Sequence, residues 1–385
     1  MKVYLDNCST TKPRDEVIEE MVYALREEYG NPSSLHRLGL NAEKKINAVR
    51  QNIADFLKVD RDEIFFTSGG TESNNFAIQS IINKYCRMGQ HIITTRIEHP
   101  SVLNVMKNYE AKGYDITYLK VDNKGLISLD ELRESIREDT ILVSIMQVNN
   151  EIGSIQPTWE IKRILEEKGS KALVHVDGVQ AFGKIPLNIK KWGIDAFSFS
   201  GHKIYGPKGI GGLYLNKGLK LNPIIFGGNQ ERGLRSGTEN VPGIFGLGKA
   251  VEIIQKNFDE ERERVKELKS YFVDRLKGTI DHIHINGPLG DQASPYILNV
   301  SFHYVRGEVL LHYLEDKGIY VSTGSACSSR GIEKSHVLLE LGLSDIEIEG
   351  AIRFCFSYEN TKEEIDYAIE QLKDSVEEIR QITMR

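Results

Sequence analysis

Cysteine is scarce in this chain: four residues in 385, at positions 8, 86, 327 and 355. That is too few and too scattered for a disulfide framework, and no two stand at the C-x-x-C spacing of a structural zinc site, so no metal is expected. No apolar run approaches the ~18 residues of a membrane span. The opening Met1-Lys2-Val3-Tyr4-Leu5-Asp6-Asn7 lacks the apolar core of a secretion signal. Neither charge sign dominates, with 49 Lys plus Arg against 55 Asp plus Glu and a net charge of -6. Such a balance leaves no footprint for a polyanion, and nucleic acid is not expected as a partner. Repeats and low-complexity tracts are missing too. What remains is a soluble, cytoplasmic, reducing-compartment protein. Its 40% hydrophobic and 27% charged residues are ordinary for a globular chain.

The pattern along the chain alternates strand and helix. Pro13 to Glu28 and Leu40 to Leu57 carry apolar residues at helical spacing. Short β-rich runs end at Thr67, Thr95, Leu119, Met146, Asp177, Ser200 and Leu215, most of them followed by helical periodicity. Ile141 to Met146 and Ala172 to Val176 are almost wholly apolar, as central strands covered on both faces are. The expectation is an α/β fold, a mostly parallel sheet flanked by helices. From Phe258 a long charged helix opens a different style, with strands at Tyr296 to His303, Ile319 to Val321 and Ala351 to Phe356. Thr361 and Glu364 have capping-box spacing before the last helix. This divides the chain into a large domain over residues 13–257 and a smaller α+β domain over 258–385, and residues 1–12 are expected to join the smaller one.

Chemistry-bearing residues gather where strands end. Thr67-Ser68-Gly69-Gly70-Thr71-Glu72 is a strand-to-helix turn with glycines, which serves either as a phosphate cradle or as an ordinary tight turn. It matches neither Walker A nor G-x-G-x-x-G. Lys203 follows Ser200-Gly201-His202 among small and apolar flanks, where a buried amine loses charge and becomes nucleophilic. Ser200 and His202 offer phosphate donors. Asp177 ends an apolar strand, as a ligand group or as an N-cap, and Gln180 can donate to a phenolic oxygen. His99 stands at a similar junction, as does Asn149-Asn150-Glu151, where Asn149 reads as a turn residue. A phosphate cradle, a Schiff-base lysine, an aspartate for a pyridinium and a histidine to stack on a ring are together the parts of a pyridoxal-phosphate site.

Cys327 lies in Ser322-Thr323-Gly324-Ser325-Ala326-Cys327-Ser328-Ser329-Arg330-Gly331, a run of small and polar residues that reads as an exposed, mobile loop. Beside Arg330 its thiolate would be favoured as a nucleophile. Cys86 and Cys355 read as inert packing residues, and Cys8 as structural.

These motifs, with Asn31-Pro32-Ser33-Ser34, Glu98-His99, Arg235-Ser236-Gly237-Thr238 and Gly324-Ser325-Ala326-Cys327-Ser328, make the chain resemble the NifS/IscS-type cysteine desulfurases almost end to end. Those are class V aminotransferases of pyridoxal-phosphate fold type I. The resemblance implies that Lys203 holds the cofactor, Asp177 meets its ring nitrogen, Gln180 its phenolate, and His99 stacks on the ring. Asn150 contacts the cofactor, while Gly70, Thr71, Ser200 and His202 bind the phosphate. Thr238 reaches the phosphate of a neighbouring subunit, which implies a homodimer. Arg353, helped by Asn31, clamps the carboxylate of the substrate L-cysteine. Lys203 moves the Cα proton, and His99 is the residue expected to deprotonate Cys327. That thiolate takes the substrate sulfur as a persulfide, L-alanine leaves, and a sulfur-acceptor protein such as an iron–sulfur scaffold receives the sulfur. The chain ends at Arg385 without the longer tail of the IscS branch, which leaves the scaffold open. Two other readings stay open at this level: a pyridoxal-phosphate enzyme of another class, such as a selenocysteine lyase or aminotransferase, and a non-catalytic relative.

Overall fold

The computed structural model describes residues 1–324 and 334–383. Strand β1 (Val3–Tyr4) is followed by helices α1 (Asp15–Glu27) and α2 (Arg37–Leu57). The alternating part then runs β2 (Ile64–Thr67), α3 (Gly70–Tyr85), β3 (His91–Thr95), α4 (Pro100–Glu110), β4 (Asp115–Leu119), α5 (Leu129–Ser135) and β5 (Thr140–Met146). It continues with α6 (Ile161–Glu167), β6 (Leu173–Asp177), β7 (Ala196–Ser200) and β8 (Gly211–Leu215). The seven strands β2 to β8 form one sheet in the order β2-β8-β7-β6-β5-β3-β4. Only β8 runs antiparallel to its neighbours, so the other six point the same way. Every residue of β3, β5 and β7 is buried, as expected of strands with helices on both faces. Across the centre, His175 bridges Ser144 Oγ (2.8 Å) and Ser198 Oγ (3.1 Å), tying three strands by side chains as well as backbone.

Helix α7 (Val241–Thr279) is one continuous element of 39 residues, about 58 Å long at 1.5 Å per residue. The charged helix expected from Phe258 is only its second half. Its first half escaped because Gly243, Gly246 and Gly248 read as helix breakers. Two of them serve close packing, since a Cβ on Gly246 would lie 2.8 Å from Met21 Cγ and one on Gly248 2.5 Å from Val49 Cγ2. Gly243 leaves room for the Asn240 side chain that caps the helix. After α7 come β9 (Ile283–Asn286), β10 (Ile297–Phe302), α8 (Gly307–Asp316), β11 (Ile319–Tyr320), α9 (His336–Glu340), α10 (Asp345–Glu349), β12 (Ala351–Cys355) and α11 (Lys362–Thr383). Strands β12, β10 and β9 make an antiparallel sheet, and β1 pairs in parallel with β11. The Thr361–Glu364 capping box is formed: Thr361 N donates to Glu364 Oε2 (3.2 Å) and Glu364 N to Thr361 Oγ1 (3.2 Å).

Two of the four hydrophobic clusters of the described residues each take in one half of α7. Ile244, Leu247, Val251 and Ile254 of α7 join α2 and the large sheet. Val265, Leu268, Phe272 and Leu276 join the small sheet, α11, and Val3 and Leu5 of the N-terminal segment. We propose these cores as the two domains; the boundary at 257/258 then falls inside a helix. Among the described residues no helix is long and apolar enough to cross a membrane.

One buried ion pair pins the glycine-rich segment before α7 to the large sheet. Arg50 Nη1 and Nη2 meet Glu231 Oε2 (2.7 Å) and Oε1 (2.8 Å). Arg50 Nη1 also reaches Ile64 O (2.6 Å), and Phe66 N donates to Glu231 Oε2 (3.0 Å). Removing one member of such a pair strands the other charge in the interior. Arg50→Met should therefore lower the unfolding free energy by about 3–5 kcal/mol, read from urea melts of variant and parent.

Candidate active site

Six parallel strands present their C-terminal ends along one edge of the sheet, the position where α/β proteins gather ligand groups. Gly69 and Gly70 follow β2, His99 follows β3, Asn150 follows β5, Asp177 and Gln180 sit at the end of β6, and Ser200 to Lys203 at the end of β7. Most of the residues picked out from sequence are thereby brought together. Helix α3 begins at Gly70 rather than at Ser73, because Ser68 N finds the Glu72 carboxylate (2.7 Å) and closes the turn. Arg235 holds that carboxylate from outside at 2.7 and 3.2 Å. Gly69 has φ +151°, open to glycine alone, and a Cβ on Gly211 would come within 2.6 Å of Gly69 Cα. The first N–H groups of α3 are thus left facing the site, a ready anion cradle. Ser200 Oγ faces it: buried and without a hydrogen-bond partner, it would lie 3.7 Å from a Cβ on Gly69. An orphaned buried hydroxyl is costly unless a ligand satisfies it. Thr71, Asn75, His99, Ser101 and Asn104 line an adjoining cleft of about 430 Å³.

Lys203 is gripped from the N-terminal segment. Its Nζ donates to Cys8 O (2.5 Å) and Ser9 O (2.8 Å). Burial, and then the nearby Lys184 ammonium, push its pKa down to about 8. His202 is brought down to about 4, mainly by burial and then by Lys203, so its ring is neutral; its Nδ1 lies 3.3 Å from Thr10 Oγ1. Gln180 Nε2 donates to the same Cys8 carbonyl (2.9 Å).

Asp177 anchors a chain of polar groups. Its Oδ2 accepts from Asn74 Nδ2 (2.7 Å) and its Oδ1 from Val179 N (3.0 Å). Asn74 Nδ2 also reaches Ser101 Oγ (2.9 Å), which lies 2.8 Å from His99 Nδ1. Ser101 N donates to that same Nδ1 (3.1 Å). The lone pair of Nδ1 is therefore occupied, and the neutral ring carries its proton on Nε2. Burial lowers the His99 pKa and favours that neutral form. Behind it Glu98 is fully buried, and desolvation pushes it up to about 8, so it is a neutral acid at pH 7. Its Oε1 accepts from Thr95 Oγ1 (2.8 Å) and Met146 N (2.9 Å). Asn74 closes the motif Thr67 to Asn74 without a role assigned from sequence, and Ser101 carries no motif of its own. Their spacing from Gly70 and His99 was the available signal.

Arg353, on β12, crosses from the small sheet into the site. Its Nη1 donates to Asn150 O (2.8 Å), and its Nη2 to Asp6 Oδ1 (2.9 Å) and Ser9 Oγ (2.7 Å); Nε is buried and unpartnered. Two expected site residues are not joined to this cluster. Asn31 is exposed and caps its own turn, accepting from Ser33 N (2.9 Å). Thr238 is exposed and makes no hydrogen bond among the described residues. Cys327 lies outside the described residues. The last residues before that stretch are fixed at Ser322, whose backbone exchanges hydrogen bonds with Arg353 (2.6 and 3.3 Å). The first helix after it is held by Ser335 Oγ on Glu151 Oε2 (2.6 Å). Of the other cysteines, Cys8 and Cys355 are buried as expected. Cys86 is exposed at the end of α3, which corrects its reading as a packing residue: the last helical turn faces solvent there.

Comparison with known proteins fits this geometry. Residues 3–368 match the family model described as aminotransferase class-V. A cysteine desulfurase IscS of Dictyoglomus turgidum is 44% identical over 382 residues, covering 99% of this chain and 96% of the relative. A solved NifS-like protein superposes with TM-score 0.91 at 42% identity, over 97% of this chain and 99% of that one. A structure described as SspA in complex with cysteine superposes with TM-score 0.79 at 34% identity, over 94% of this chain and 100% of that one. With full-length likeness in both sequence and fold, the chain belongs to the class V aminotransferase family, in its NifS/IscS-type cysteine desulfurase branch.

Proposed function

We propose that the chain is a pyridoxal-phosphate-dependent cysteine desulfurase. It converts L-cysteine to L-alanine and leaves the sulfur as a persulfide on Cys327. The observation that carries this reading is the meeting of Lys203, Asp177 and His99 beside an anion cradle whose Ser200 hydroxyl lacks a partner. These residues fit the cofactor. The α3 N-terminus at Gly70 and Thr71, with Ser200 and His202, would hold its phosphate. Asp177 would face the ring nitrogen, His99 the ring face, Gln180 the ring oxygen and Asn150 the substituents, with Lys203 as the covalent anchor. The cofactor supplies an electron sink that weakens the bonds around the substrate Cα.

The chain's own residues do the rest. Arg353 holds the substrate carboxylate and fixes its orientation, with Asn31 assigned to help only if its exposed turn comes to the site. Lys203, with a pKa near 8, is partly neutral at physiological pH and can take up and return a proton at Cα. His99, neutral and carrying its hydrogen on Nε2, offers an N–H hydrogen bond to the site, and it serves as the base toward Cys327 once that hydrogen shifts to Nδ1. The thiolate of Cys327 attacks the substrate sulfur; an S–S bond forms, the Cβ–S bond breaks, and Cβ takes a proton. The persulfide then passes its sulfur to an acceptor protein, such as an iron–sulfur scaffold, in the cytoplasm. The exposed Thr238 supports a homodimer in which Thr238 of the partner subunit completes the phosphate cradle. Sedimentation should then give twice the 43.6 kDa of one chain, and a monomer in the holoprotein would oppose it.

Incubation with L-cysteine and a reductant, assayed for alanine and sulfide together, tests the activity. Cys327→Ala should keep the visible colour of the bound cofactor and lose sulfide release by roughly 10³-fold or more. Lys203→Ala should lose both. Sulfide at the parental rate from Cys327→Ala would remove the persulfide role, and a keto acid in place of alanine would assign another reaction.

A pH profile tests Lys203 by itself. Its folded pKa lies near 8, below the ordinary 10.5, so the neutral amine gains ground as pH rises. Uptake of cofactor by the apoprotein should climb about tenfold between roughly pH 7 and 9, the span over which such an amine deprotonates. A flat profile followed by stopped-flow absorbance would place the amine elsewhere.

A further inference from the structure

Lys184 is the most deeply buried lysine of the chain, 2% exposed. Its Nζ donates to Gln180 Oε1 (2.9 Å) and stands 5.6 Å from the centre of the Tyr296 ring. The charged and titratable groups facing it are Cys8, Cys355 and Arg353, with Lys203 beyond. Among the described residues no carboxylate pairs with it. Burial pushes the Lys184 pKa down; an ammonium held there by a neutral amide is an expensive arrangement, and an apolar side chain of the same length would fill the space at lower cost. Packing therefore does not account for it.

Hydrogen-bond chemistry does. An ammonium can only donate, whereas a glutamine amide has one accepting and one donating end. With Oε1 committed to Lys184, Gln180 must turn Nε2 the other way. It does so, toward Cys8 O (2.9 Å), the carbonyl that also holds Lys203 Nζ (2.5 Å). Without Lys184 the amide could rotate by half a turn and present an oxygen to the site.

We propose that Lys184 is a positioning residue: its ammonium locks the Gln180 amide so that an N–H, and not a C=O, faces the anionic ring oxygen of the bound cofactor. This rests on the pyridoxal-phosphate reading above. The test is a pH titration of the visible absorbance of the holoenzyme in four forms: parent, Lys184→Met, Gln180→Ala and the double variant. Loss of the donor makes the ring oxygen more basic, so Lys184→Met should raise the midpoint by about one unit, a tenfold change in proton affinity. In the Gln180→Ala background the same substitution should move it by less than half as much. An equal shift in both backgrounds would mean that Lys184 acts through its charge alone, and no shift would mean no role; either overturns the proposal. Should Lys184→Met fail to fold, the parent holoenzyme at about 1.2 Å or better, where amide hydrogens become visible, decides instead. Gln180 Nε2 on the Lys184 side would overturn it, and Oε1 there supports it. A parent protein that takes up no cofactor defeats both readings, whereas a coloured parent with an unmoved Lys184→Met midpoint defeats only this one.

Discussion

The contact on which the site depends is the grip of two backbone carbonyls, those of Cys8 and Ser9, on the Lys203 ammonium. Carbonyl oxygens cannot take a proton at neutral pH, so they hold the cation without neutralising it, and burial is left free to lower its pKa. The segment that offers them is itself doubly tethered. Toward the small sheet, Cys355 N donates to Leu5 O (2.6 Å) and Asn7 Nδ2 to Cys355 O (2.9 Å). Toward the large sheet, Thr11 N donates to His202 O (2.9 Å) and Tyr205 N to Thr11 Oγ1 (2.7 Å). Eleven residues at the start of the chain thus set the distance between Lys203 on one core and Arg353 on the other.

A second layer orients the groups that face the site. Asp177, Asn74, Ser101 and His99 form one hydrogen-bonded series in which each member fixes the rotamer or tautomer of the next. Such networks hold geometry best when every member is satisfied, and here only Asn74 Oδ1 in the series is buried without a partner. The balance of charge is also telling. Lys203 and Arg353 bring positive charge to the site, Asp177 and Asp6 bring carboxylates, and the buried Glu98 is a neutral acid at pH 7. The donors for anions are therefore local, the start of α3 for a phosphate and the Arg353 guanidinium for a substrate carboxylate.

Much of this was legible in the sequence for a topological reason. Parallel strands end on one edge, so Gly70, His99, Asn150, Asp177 and Lys203, each just beyond a strand, had to converge there. What stayed hidden was hidden by local chemistry that means two things. Glycines 246 and 248 signal a break by propensity but here permit close packing of α7 on α1 and α2, and Gly243 makes room for the Asn240 cap. The alternation in β9 was too short to stand out, and β1 has two residues. The antiparallel placement of β8 leaves no trace in a buried apolar run. Lys184 looked like any surface lysine, since burial is a property of the fold and not of the residue. Asn31 and Thr238 matched motifs, yet among the described residues they remain apart from the cluster, because a motif carries residue identity and not where the fold brings it.

Helix α7 ties these levels together. Its first four turns belong to one core and its last to the other, and no loop separates them. A cut between residues 257 and 258 would leave four carbonyls and four amides at the severed helix ends without partners, and each fragment would expose an apolar stripe. The two halves of this molecule are thus not exchangeable modules: a recombination that swapped one against a relative's counterpart would have to preserve the register of a single helix, which binds them into one unit of inheritance.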